Sequence, residues 1–305
     1  MRKEENIPHK FESLSDLHRA LGLEKPTHPM ISIVNNMDNK IIPNNLPIPF
    51  ILNFYKITYQ PNLQGKFKIG QHFYDFDEGG LFFVSPNQLK STFTNNGDHS
   101  GYTLFVHPDF LQAYPLAKKI KQYGFFSYSA TEALHLSENE KEIIISILKM
   151  IETEISSRID DFSQDVIISQ IELFLNYANR FYKRQFITRR VANNDLLQKI
   201  EEILEACFNN GESLNSGIPT VQFLAEKINL SPSYLSDMLR SLIGQNAQQY
   251  IHEKLIEKAK EKLSTTGLSI SEIAYDLGFE HSQSFSKLFK AKTNLSPSAF
   301  RESFN

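Results

Sequence analysis

The spacing of hydrophobic residues changes along the 305-residue chain from strand-like to helix-like. Between residues 30 and 107, short runs of aromatic and β-branched residues alternate with turn-forming sequences such as PNLQG and DEGG. These runs are Phe50 to Tyr59, Lys66 to Phe76, Leu81 to Ser85 and Gly101 to His107. Several short strands at such spacing predict a small antiparallel barrel or sandwich. From about residue 137 onward, apolar residues follow helical spacing.

Two amphipathic helices are predicted directly after the strands, within residues 137–185. The first begins at a capping box formed by Ser137 and Glu140. It continues with apolar residues at four-residue spacing, namely Ile143, Ile147, Ile151 and Ile155. The second, Ser163 to Arg184, carries on one face Ile167, Ile171, Phe174, Ala178 and Phe181. Such faces either pack onto the strands of the same chain or pair with those of a second copy.

A polar segment, Thr188 to Asp195, is the predicted linker because it has little apolar content. It separates an N-terminal domain, residues 1–187, from a C-terminal domain, residues 196–305, for which only helices are predicted. The predicted fold is therefore α+β with two domains. The N-terminal domain has a β-barrel with trailing helices, and the C-terminal domain is all-α.

The C-terminal domain contains an internal repeat with a period near 50 residues. The stretch FLAEKINLSPSYLSDMLRSLIG aligns with the later stretch EIAYDLGFEHSQSFSKLFKAKTN. Ala225 matches Ala274 at an offset of 49, and Leu235 matches Phe285 at an offset of 50, so the second copy has one more residue in its turn. Each copy has the pattern of a short helix, a tight turn and a second helix, which is a helix-turn-helix unit.

Capping and turn residues support the boundaries of these helices. Ser269 forms a capping box with the glutamate three residues later, and Ser231 and Ser296, each followed by proline, are predicted N-caps. Gly278 supplies the tight turn of the second copy. Asn294 lies where a helix ends in the left-handed conformation, which asparagine tolerates.

One continuous helix is predicted between the two copies, from Ala247 to Leu263, with a length of roughly 25 Å at 1.5 Å per residue. Successive faces of the major groove lie roughly 34 Å apart. With the widths of the flanking units added, such a spacer sets two recognition helices into adjacent major grooves. One chain would then read two grooves.

The solvent-facing sides of the two second helices carry the candidate DNA contacts. Glutamine pairs with adenine, lysine with guanine or phosphate, and serine with either base or phosphate groups. The candidate contacts are Ser233, Ser236, Arg240, Ser282, Gln283, Ser286, Lys287 and Lys290. These sides of the two helices, the first of which also carries Asp237, are left to solvent or DNA.

Net charge gives no general argument for binding to nucleic acid. Residues 195–305 contain 11 Lys or Arg and 14 Asp or Glu, so the C-terminal domain is mildly acidic. Local basic patches exist at Arg180 to Arg190 and at His281 to Arg301, and the latter has no acidic residue. A local patch of this kind supplies the counter-charge for a phosphate backbone. Its cationic side chains are Lys287, Lys290, Lys292 and Arg301.

The stretch SISEIAYDLGFEHSQSFSKLFKAKTNLSPSAFR resembles the signature of AraC/XylS-type transcriptional regulators, and the resemblance covers residues 196–305. In that family the second helix of each copy enters the major groove, which implies double-stranded DNA as partner. Three positions depart from the family pattern. Asn294 replaces the usual glycine, Asp237 lies where a basic or amide residue is frequent, and Leu255 lies where arginine is common. The Asp237 carboxylate repels phosphate, although it can accept from cytosine N4.

The first 190 residues resemble the sensory domains of that family in arrangement, with a cupin-like β-barrel followed by helices that dimerise. The resemblance implies a transcription factor that responds to a small-molecule effector bound by the barrel and that has RNA polymerase as a further partner. It also favours a homodimer with an interface on one of the two helices after the strands.

Two other classes of function remain open. A cupin-like barrel suggests a metal-dependent enzyme, for which His72, Glu78, His99 and His107 are the candidate ligands. The usual pair of histidines separated by one residue is absent, and the chain has no GxSxG, P-loop, dinucleotide or HExxH motif. We therefore predict no enzyme, no metal and no cofactor. The second alternative is a co-regulator that binds protein instead of DNA, which the acidic balance of residues 195–305 slightly favours.

Cysteine content and hydropathy indicate the compartment. The single cysteine, Cys207, excludes an intrachain disulfide and fits a reducing cytosol. The N-terminal sequence has no apolar signal region, and the longest apolar runs are shorter than the roughly 18 residues that a membrane span needs. We expect a cytoplasmic protein without membrane contact.

Overall fold

The computed structural model describes residues 8–37, 49–61, 66–69, 72–75, 79–90, 100–157, 160–209 and 217–304. The chain divides into two compact units, Met1–Thr188 and Arg189–Asn305. Strands and helices alternate with turns in the first unit, whereas the described part of the second is helical. The predicted mixed α+β class is confirmed.

Short strands and helices form the first part of the N-terminal unit. The strands are β1 (His9–Phe11), β2 (Ile31–Asn35), β3 (Phe50–Leu52), β4 (Tyr55–Gln60), β5 (Lys66–Ile69), β6 (His72–Asp75), β7 (Gly80–Val84), β8 (Leu89–Lys90), β9 (Tyr102–Val106) and β10 (Leu134–His135). The helices are α1 (Leu14–Ala20), α2 (Pro108–Leu111) and α3 (Leu116–Lys119). Three short 3-10 turns lie between α3 and β10, at Ile120–Gln122, Gly124–Ser127 and Ala130–Glu132.

The strands pair in three sheets. Five form an antiparallel sheet in the order β10-β7-β4-β9-β2. A second sheet has the order β1-β3-β8, with β1 parallel to β3, and β5 and β6 form a hairpin. The predicted strand from Phe50 to Tyr59 is divided between the two larger sheets near Asn53, whose N–H donates to the Phe11 carbonyl oxygen (3.0 Å). No closed barrel is found among the described strands, so barrel closure stays a prediction.

A buried cluster joins β1, α1, β3 and β9. The rings of Phe54 and Phe105 meet edge to face with centroids 5.7 Å apart. Each large apolar side chain buried in this way contributes about 1.5–3 kcal/mol to stability. The cluster consists of Phe11, Leu14, Leu17, Leu21, Phe50, Leu52, Phe54 and Phe105.

The two helices after the strands bury their predicted apolar faces within the same chain. The helices are α4 (Glu138–Ser156), which begins at the predicted capping box, and α5 (Ser163–Thr188), and they pack against each other. The buried face residues are Ile147, Ile151, Ile155, Ile167, Ile171, Phe174, Ala178 and Phe181. Ile143 is half-buried, and its neighbour Ile144 is fully buried. These faces are occupied within the chain, so only the other sides of α4 and α5 remain for a second copy.

Polar contacts fix the C-terminal half of α5 to β10. Gln185, which is buried, accepts from the His135 N–H (2.8 Å) and donates to the Ala133 carbonyl oxygen (3.2 Å). Arg184 donates to the His135 carbonyl oxygen (2.8 Å) and forms an ion pair with Glu140, the glutamate of the capping box. A buried amide is stabilising only when its hydrogen bonds are made. Both groups of the Gln185 amide therefore hold the helix to the sheet.

The predicted linker, Thr188 to Asp195, is helical for most of its length. Helix α5 continues to Thr188, and α6 extends from Arg190 to Asn209. The segment contains no proline or glycine to stop a helix, and the side chains of Leu196 and Ile200 in the following turns are buried. Packing of those turns stabilises the whole helix despite the polar start. The segment is not an irregular loop, and its role as the domain boundary stays a prediction.

Seven helices make up the described part of the C-terminal unit. After α6 these are α7 (Val221–Lys227), α8 (Pro232–Ile243), α9 (Ala247–Thr265), α10 (Ile270–Asp276), α11 (Ser282–Thr293) and α12 (Pro297–Glu302). The predicted spacer helix is confirmed and extends two residues beyond Leu263 as α9. Helix α9 packs against all six others, with a buried stripe that includes Tyr250, Ile251, Leu255 and Ala259. The long helix is therefore the common core of both halves of the unit.

The predicted caps of these helices are confirmed. The side chains of Ser231, Ser269 and Ser296 accept from backbone N–H groups in the first turns of α8, α10 and α12. Helices α8 and α11 end at Gly244 and Asn294, which have φ of 78° and 62°. Local sequence signals thus set both ends of α8 and the C-terminal end of α11.

We expect replacement of Ser269 by alanine to lower the free energy of unfolding by about 1 kcal/mol, because the first turn of α10 loses its cap. The Ser269 hydroxyl accepts from the Glu272 N–H at 3.2 Å. Ser271→Ala, the same change at an exposed position inside α10, is the matched control and should cost little. Urea denaturation followed by circular dichroism measures both, and equal effects would contradict the capping role.

Candidate nucleic-acid interface

The two copies of the repeat fold with the same backbone hydrogen bonds. In the first copy the Leu230 N–H donates to the Ala225 carbonyl oxygen (2.9 Å) across the turn between α7 and α8. In the second copy the Phe279 N–H donates to the Ala274 carbonyl oxygen at the same distance, across the turn between α10 and α11. Both pairs are related by an offset of 49 residues, the offset of the sequence repeat before the turn. The repeat is therefore a structural duplication of one helix-turn-helix unit.

Each turn requires one residue in the left-handed region. Asn229 has φ of 57° in the first copy, and Gly278 has φ of 88° at the equivalent position of the second. A Cβ atom on Gly278 would lie 2.7 Å from the carbonyl carbon of Gly217 and 2.8 Å from the backbone nitrogen of Ile218. The predicted role of Gly278 as the turn residue is confirmed, and the approach of a second backbone segment adds a further reason for glycine.

Buried and exposed sides of α8 and α11 agree with the predicted faces. Leu235, Met238 and Leu239 of α8 and Phe285 and Phe289 of α11 are fully buried. The candidate contacts lie on the other sides, which face solvent. Four of them are exposed, namely Arg240, Gln283, Lys287 and Lys290. Four are half-exposed, namely Ser233, Ser236, Ser282 and Ser286.

The charges on the two recognition helices differ. Helix α11 presents the exposed side chains of Lys287, Lys290 and Lys292. None of these lysines forms an ion pair within the residues that the structure describes. In α8 the single cation, Arg240, forms an ion pair with Asp237 one turn earlier. Only α11 therefore presents a row of cationic groups without a neighbouring carboxylate on the same helix.

Arg301, which is predicted to supply counter-charge for phosphate, contacts the end of α9. Its side chain is partly buried, and Nε donates to the carbonyl oxygen of Leu263 (3.3 Å) in the last turn of α9. Carbonyl groups at the end of a helix lack partners within the helix, and a nearby cation stabilises them. The guanidinium of Arg301 therefore joins α12 to α9.

Two ion-pair contacts hold the outer helices to α9. Lys262, near the end of α9, pairs with Asp276 of α10. At the other end, Glu201 of α6 accepts from the Tyr250 hydroxyl (2.7 Å) and pairs with Lys254 (3.3 Å). The hydrogen bond from Tyr250 and the charge of Lys254 hold the pKa of Glu201 below its ordinary value. These contacts hold α10 of the second helix-turn-helix unit and the preceding helix α6 to the common helix. The sequence pattern contained no signal for these pairs.

At the position where arginine is common in the family, this chain has Leu255, with Lys254 directly before it. Leu255 is fully buried in α9. Lys254 contacts the carboxylates of Glu201 and Glu257. The replacement of the usual arginine by leucine thus adds to the core, while the cation beside it makes the polar contacts.

The candidate metal ligands of the alternative hypothesis are only partly described. Glu78, His99 and the side chain of His72 lie outside the described residues. The His107 Nδ1 accepts from the Asp109 N–H (3.3 Å) at the start of α2. Among the described residues, no group of three or more His, Cys, Asp or Glu side chains is placed to hold a metal ion.

The same part of the chain has no helix that is both long and apolar enough for a membrane span.

A cleft in the N-terminal unit has a volume of about 380 Å³. The rings of Tyr55, Tyr123 and Phe126 line it together with polar groups of Asn87 and Lys121. Tyr55 and Phe126 are buried and meet edge to face with centroids 5.1 Å apart. An aromatic wall with a few polar groups is typical of small-molecule pockets.

Comparisons with known proteins match the C-terminal unit and, for two relatives, most of the chain. A family model described as a helix-turn-helix domain matches residues 224–303. The HTH-type transcriptional regulator YfiF of Bacillus subtilis is 25% identical over 252 residues, which cover 82% of this chain and 77% of that protein. The Msm operon regulatory protein of Streptococcus mutans is 22% identical over 256 residues, or 83% of this chain and 86% of that protein. The arabinose operon regulatory protein of Salmonella typhimurium is 32% identical over 120 residues, or 38% of this chain and 43% of that protein.

Proposed function

The chain belongs to the AraC/XylS-type transcriptional regulators, and from this premise we propose that it reads a specific duplex sequence with two recognition helices of one chain, α8 and α11. The observation that carries the proposal is the duplicated turn, which uses the same hydrogen bond in both copies and leaves the same sides of α8 and α11 exposed. A structural duplication of this kind supplies two recognition helices, each held in the same helix-turn-helix geometry.

The length of α9 supports simultaneous binding. Its 19 residues span about 28 Å at 1.5 Å per residue, and the flanking units add to this separation. Adjacent major-groove faces lie roughly 34 Å apart. Because α9 packs against the helices of both units, it separates the recognition helices as one rigid spacer.

The candidate contacts have distinct roles in this proposal. Gln283 pairs with adenine, and Arg240 donates to guanine O6 and N7. Lys287 contacts guanine or phosphate, and Lys290 neutralises phosphate. The half-exposed serines donate to phosphate oxygens or base edges. Roles of this kind separate contacts that specify sequence from contacts that position the protein.

Selection of random duplexes by the purified full chain, followed by sequencing at two salt concentrations, tests the proposed function. We expect enrichment of a site with two half-elements about one helical turn apart, bound more weakly as salt increases. Absence of enrichment together with salt-insensitive behaviour would contradict DNA reading. That result would favour the alternative of a co-regulator that binds protein.

The N-terminal unit is proposed to bind a small effector, in the cleft beside Tyr55 or within a cupin-like barrel. Two of the relatives are named for operons, one of them the arabinose operon, so arabinose and related sugars are the first probes. An effector changes DNA binding only if its affinity differs between two states of the protein. Titration of each sugar, with DNA affinity as the readout, tests the coupling. Unchanged DNA affinity with every ligand that binds would contradict it.

A homodimer is proposed to form through the outer side of α5. Phe162 just before the helix, Val166 and Leu173 lie at helical spacing and are 71%, 39% and 43% exposed. Apolar side chains on one exposed stripe favour association with another surface. Sedimentation equilibrium of the full chain should give twice the monomer mass, and a monomer at all concentrations would contradict the proposal. Contact with RNA polymerase stays a prediction from the family resemblance.

A further inference from the structure

The internal repeat allows the two recognition helices to be compared position by position. With the offset of 50 residues, Asp237 of α8 is equivalent to Lys287 of α11, and Arg240 is equivalent to Lys290. One helix therefore carries an acid and a base where the other carries two bases. The equivalent sides of the two helices have different chemistry on the same backbone geometry.

The acid and the base on α8 form a unit. They lie one turn apart, and Nη1 of Arg240 contacts Oδ1 of Asp237 at 2.5 Å. The side chain of Arg240 is 56% exposed and that of Asp237 is 27% exposed, so the ion pair lies on the side of α8 that faces solvent. A guanidinium has five N–H groups and a carboxylate has about four acceptor positions. The contact between Nη1 and Oδ1 uses one N–H group of Arg240 and one acceptor position of Asp237, fewer than either group has.

The remaining donors and acceptors match one kind of base pair. In the major groove, guanine presents two acceptors, O6 and N7, and its cytosine partner presents the N4 amino donor. A guanidinium beside a carboxylate presents the complementary pattern. An A·T pair presents its groups in another order, with the N6 amino donor of adenine between the two acceptors, adenine N7 and thymine O4, and then the thymine methyl group. It therefore has no two adjacent acceptors for the guanidinium fork and no donor beyond them for the carboxylate.

We propose that Asp237 and Arg240 act together as a specificity device that makes binding through α8 depend on a G·C pair. Arg240 donates to guanine, and Asp237 accepts from the cytosine N4 group. Away from such a pair, the Asp237 carboxylate repels phosphate and also holds Arg240, so α8 gains little from non-specific DNA. The proposal rests on the proposed function and specifies how one half-element is read.

The same comparison assigns a different role to α11. Its exposed lysines, Lys287, Lys290 and Lys292, have no acidic neighbour on the helix. They attract any duplex, because phosphate neutralisation does not depend on sequence. Helix α11 therefore provides most of the salt-dependent attraction to DNA. Helix α8 provides the discrimination against wrong base sequences.

The experiment compares the wild-type chain with the Asp237→Asn variant in two measurements. The first is selection and sequencing of random duplexes, and the second is the dependence of DNA affinity on salt concentration. Asparagine has nearly the shape of aspartate but no charge, so Arg240 is released to contact phosphate. We expect affinity for scrambled duplex to increase by about 3- to 10-fold and the slope of log K against log salt to become steeper by about 1. The preference for G·C at one position of the α8 half-element should be lost.

Two further variants sharpen the test. Arg240→Lys keeps the charge but loses the planar fork, so it should weaken the preference at the same base pair. Glu205→Gln removes one negative charge from the exposed side of α6 and is the matched control. It should leave both the selected sequence and the salt slope as in the wild type.

The outcomes separate this proposal from the proposed function. If the wild-type chain enriches a bipartite site and Asp237→Asn keeps the same base preferences and salt slope, the specificity device is refuted while DNA reading stands. If the wild-type chain enriches no site, DNA reading fails and the device fails with it. A gain in salt slope equal to that of Glu205→Gln would also refute it, because the effect would then be one of net charge.

Discussion

Gly278→Ala lowers the free energy of unfolding of the C-terminal unit by about 2–4 kcal/mol and removes tight DNA binding. Two costs add at this position. An alanine at φ of 88° adopts a conformation that costs roughly 1–2 kcal/mol. Its Cβ also lies 2.7 Å from the carbonyl carbon of Gly217, and a backbone atom cannot move away as the end of a flexible side chain can.

Two other glycines of the same unit give a graded control. Gly244 also has a positive φ, of 78°, but a Cβ there meets no atom within 4 Å, so Gly244→Ala should cost only about 1 kcal/mol. Gly267 has neither constraint, and Gly267→Ala should be close to neutral. Urea denaturation of the full chain, followed by far-UV circular dichroism, gives the three values. A cost for Gly278→Ala no larger than that for Gly244→Ala would contradict the close backbone approach.

Gln283→Ala and Lys290→Ala are expected to weaken DNA binding in different ways. Loss of Gln283 should cost roughly 1–3 kcal/mol on the selected site and relax the preference at one base position, with little change on scrambled DNA. Loss of Lys290 should weaken binding to all sequences by the same factor and reduce the salt slope by about 1. The difference follows because bases differ between sequences and phosphates do not.

Fluorescence anisotropy with selected and scrambled duplexes over a range of salt concentrations measures these effects. Lys260→Ala removes an exposed lysine from α9 and serves as the control for general loss of charge. Equal losses on selected and scrambled DNA for Gln283→Ala would refute the base-reading role. A selective loss on the selected site for Lys290→Ala would refute its role at phosphate.

The C-terminal unit was predictable because its signals are local. A cap at Ser231 or Ser269 and a left-handed residue at Asn294 are each set by residues within a few turns of each other. The repeat then places those elements in the same order twice. The structure confirms each of these features at the predicted position.

Periodicity failed where the partner of a residue is distant in sequence. It identified the apolar faces of α4 and α5, but it did not indicate whether the same chain or a second copy covers them. The contact between Tyr250 and Glu201 joins residues 49 positions apart, and Arg301 reaches a carbonyl group 38 positions earlier. A polar composition suggested a linker at Thr188 to Asp195, whereas packing of the later turns of α6 makes most of it helical.

The most direct test of one chain reading two grooves is the spacing between the two half-elements. Insertion of 5 or 10 base pairs between them in the selected duplex changes their separation while leaving every base contact available. Because α9 fixes the distance between α8 and α11, we predict that both insertions reduce the affinity roughly 100-fold or more, to that of a single half-element. Full affinity after the 10-base-pair insertion, one helical turn, would contradict the account, since two separate chains or a flexible connection would then read the two halves.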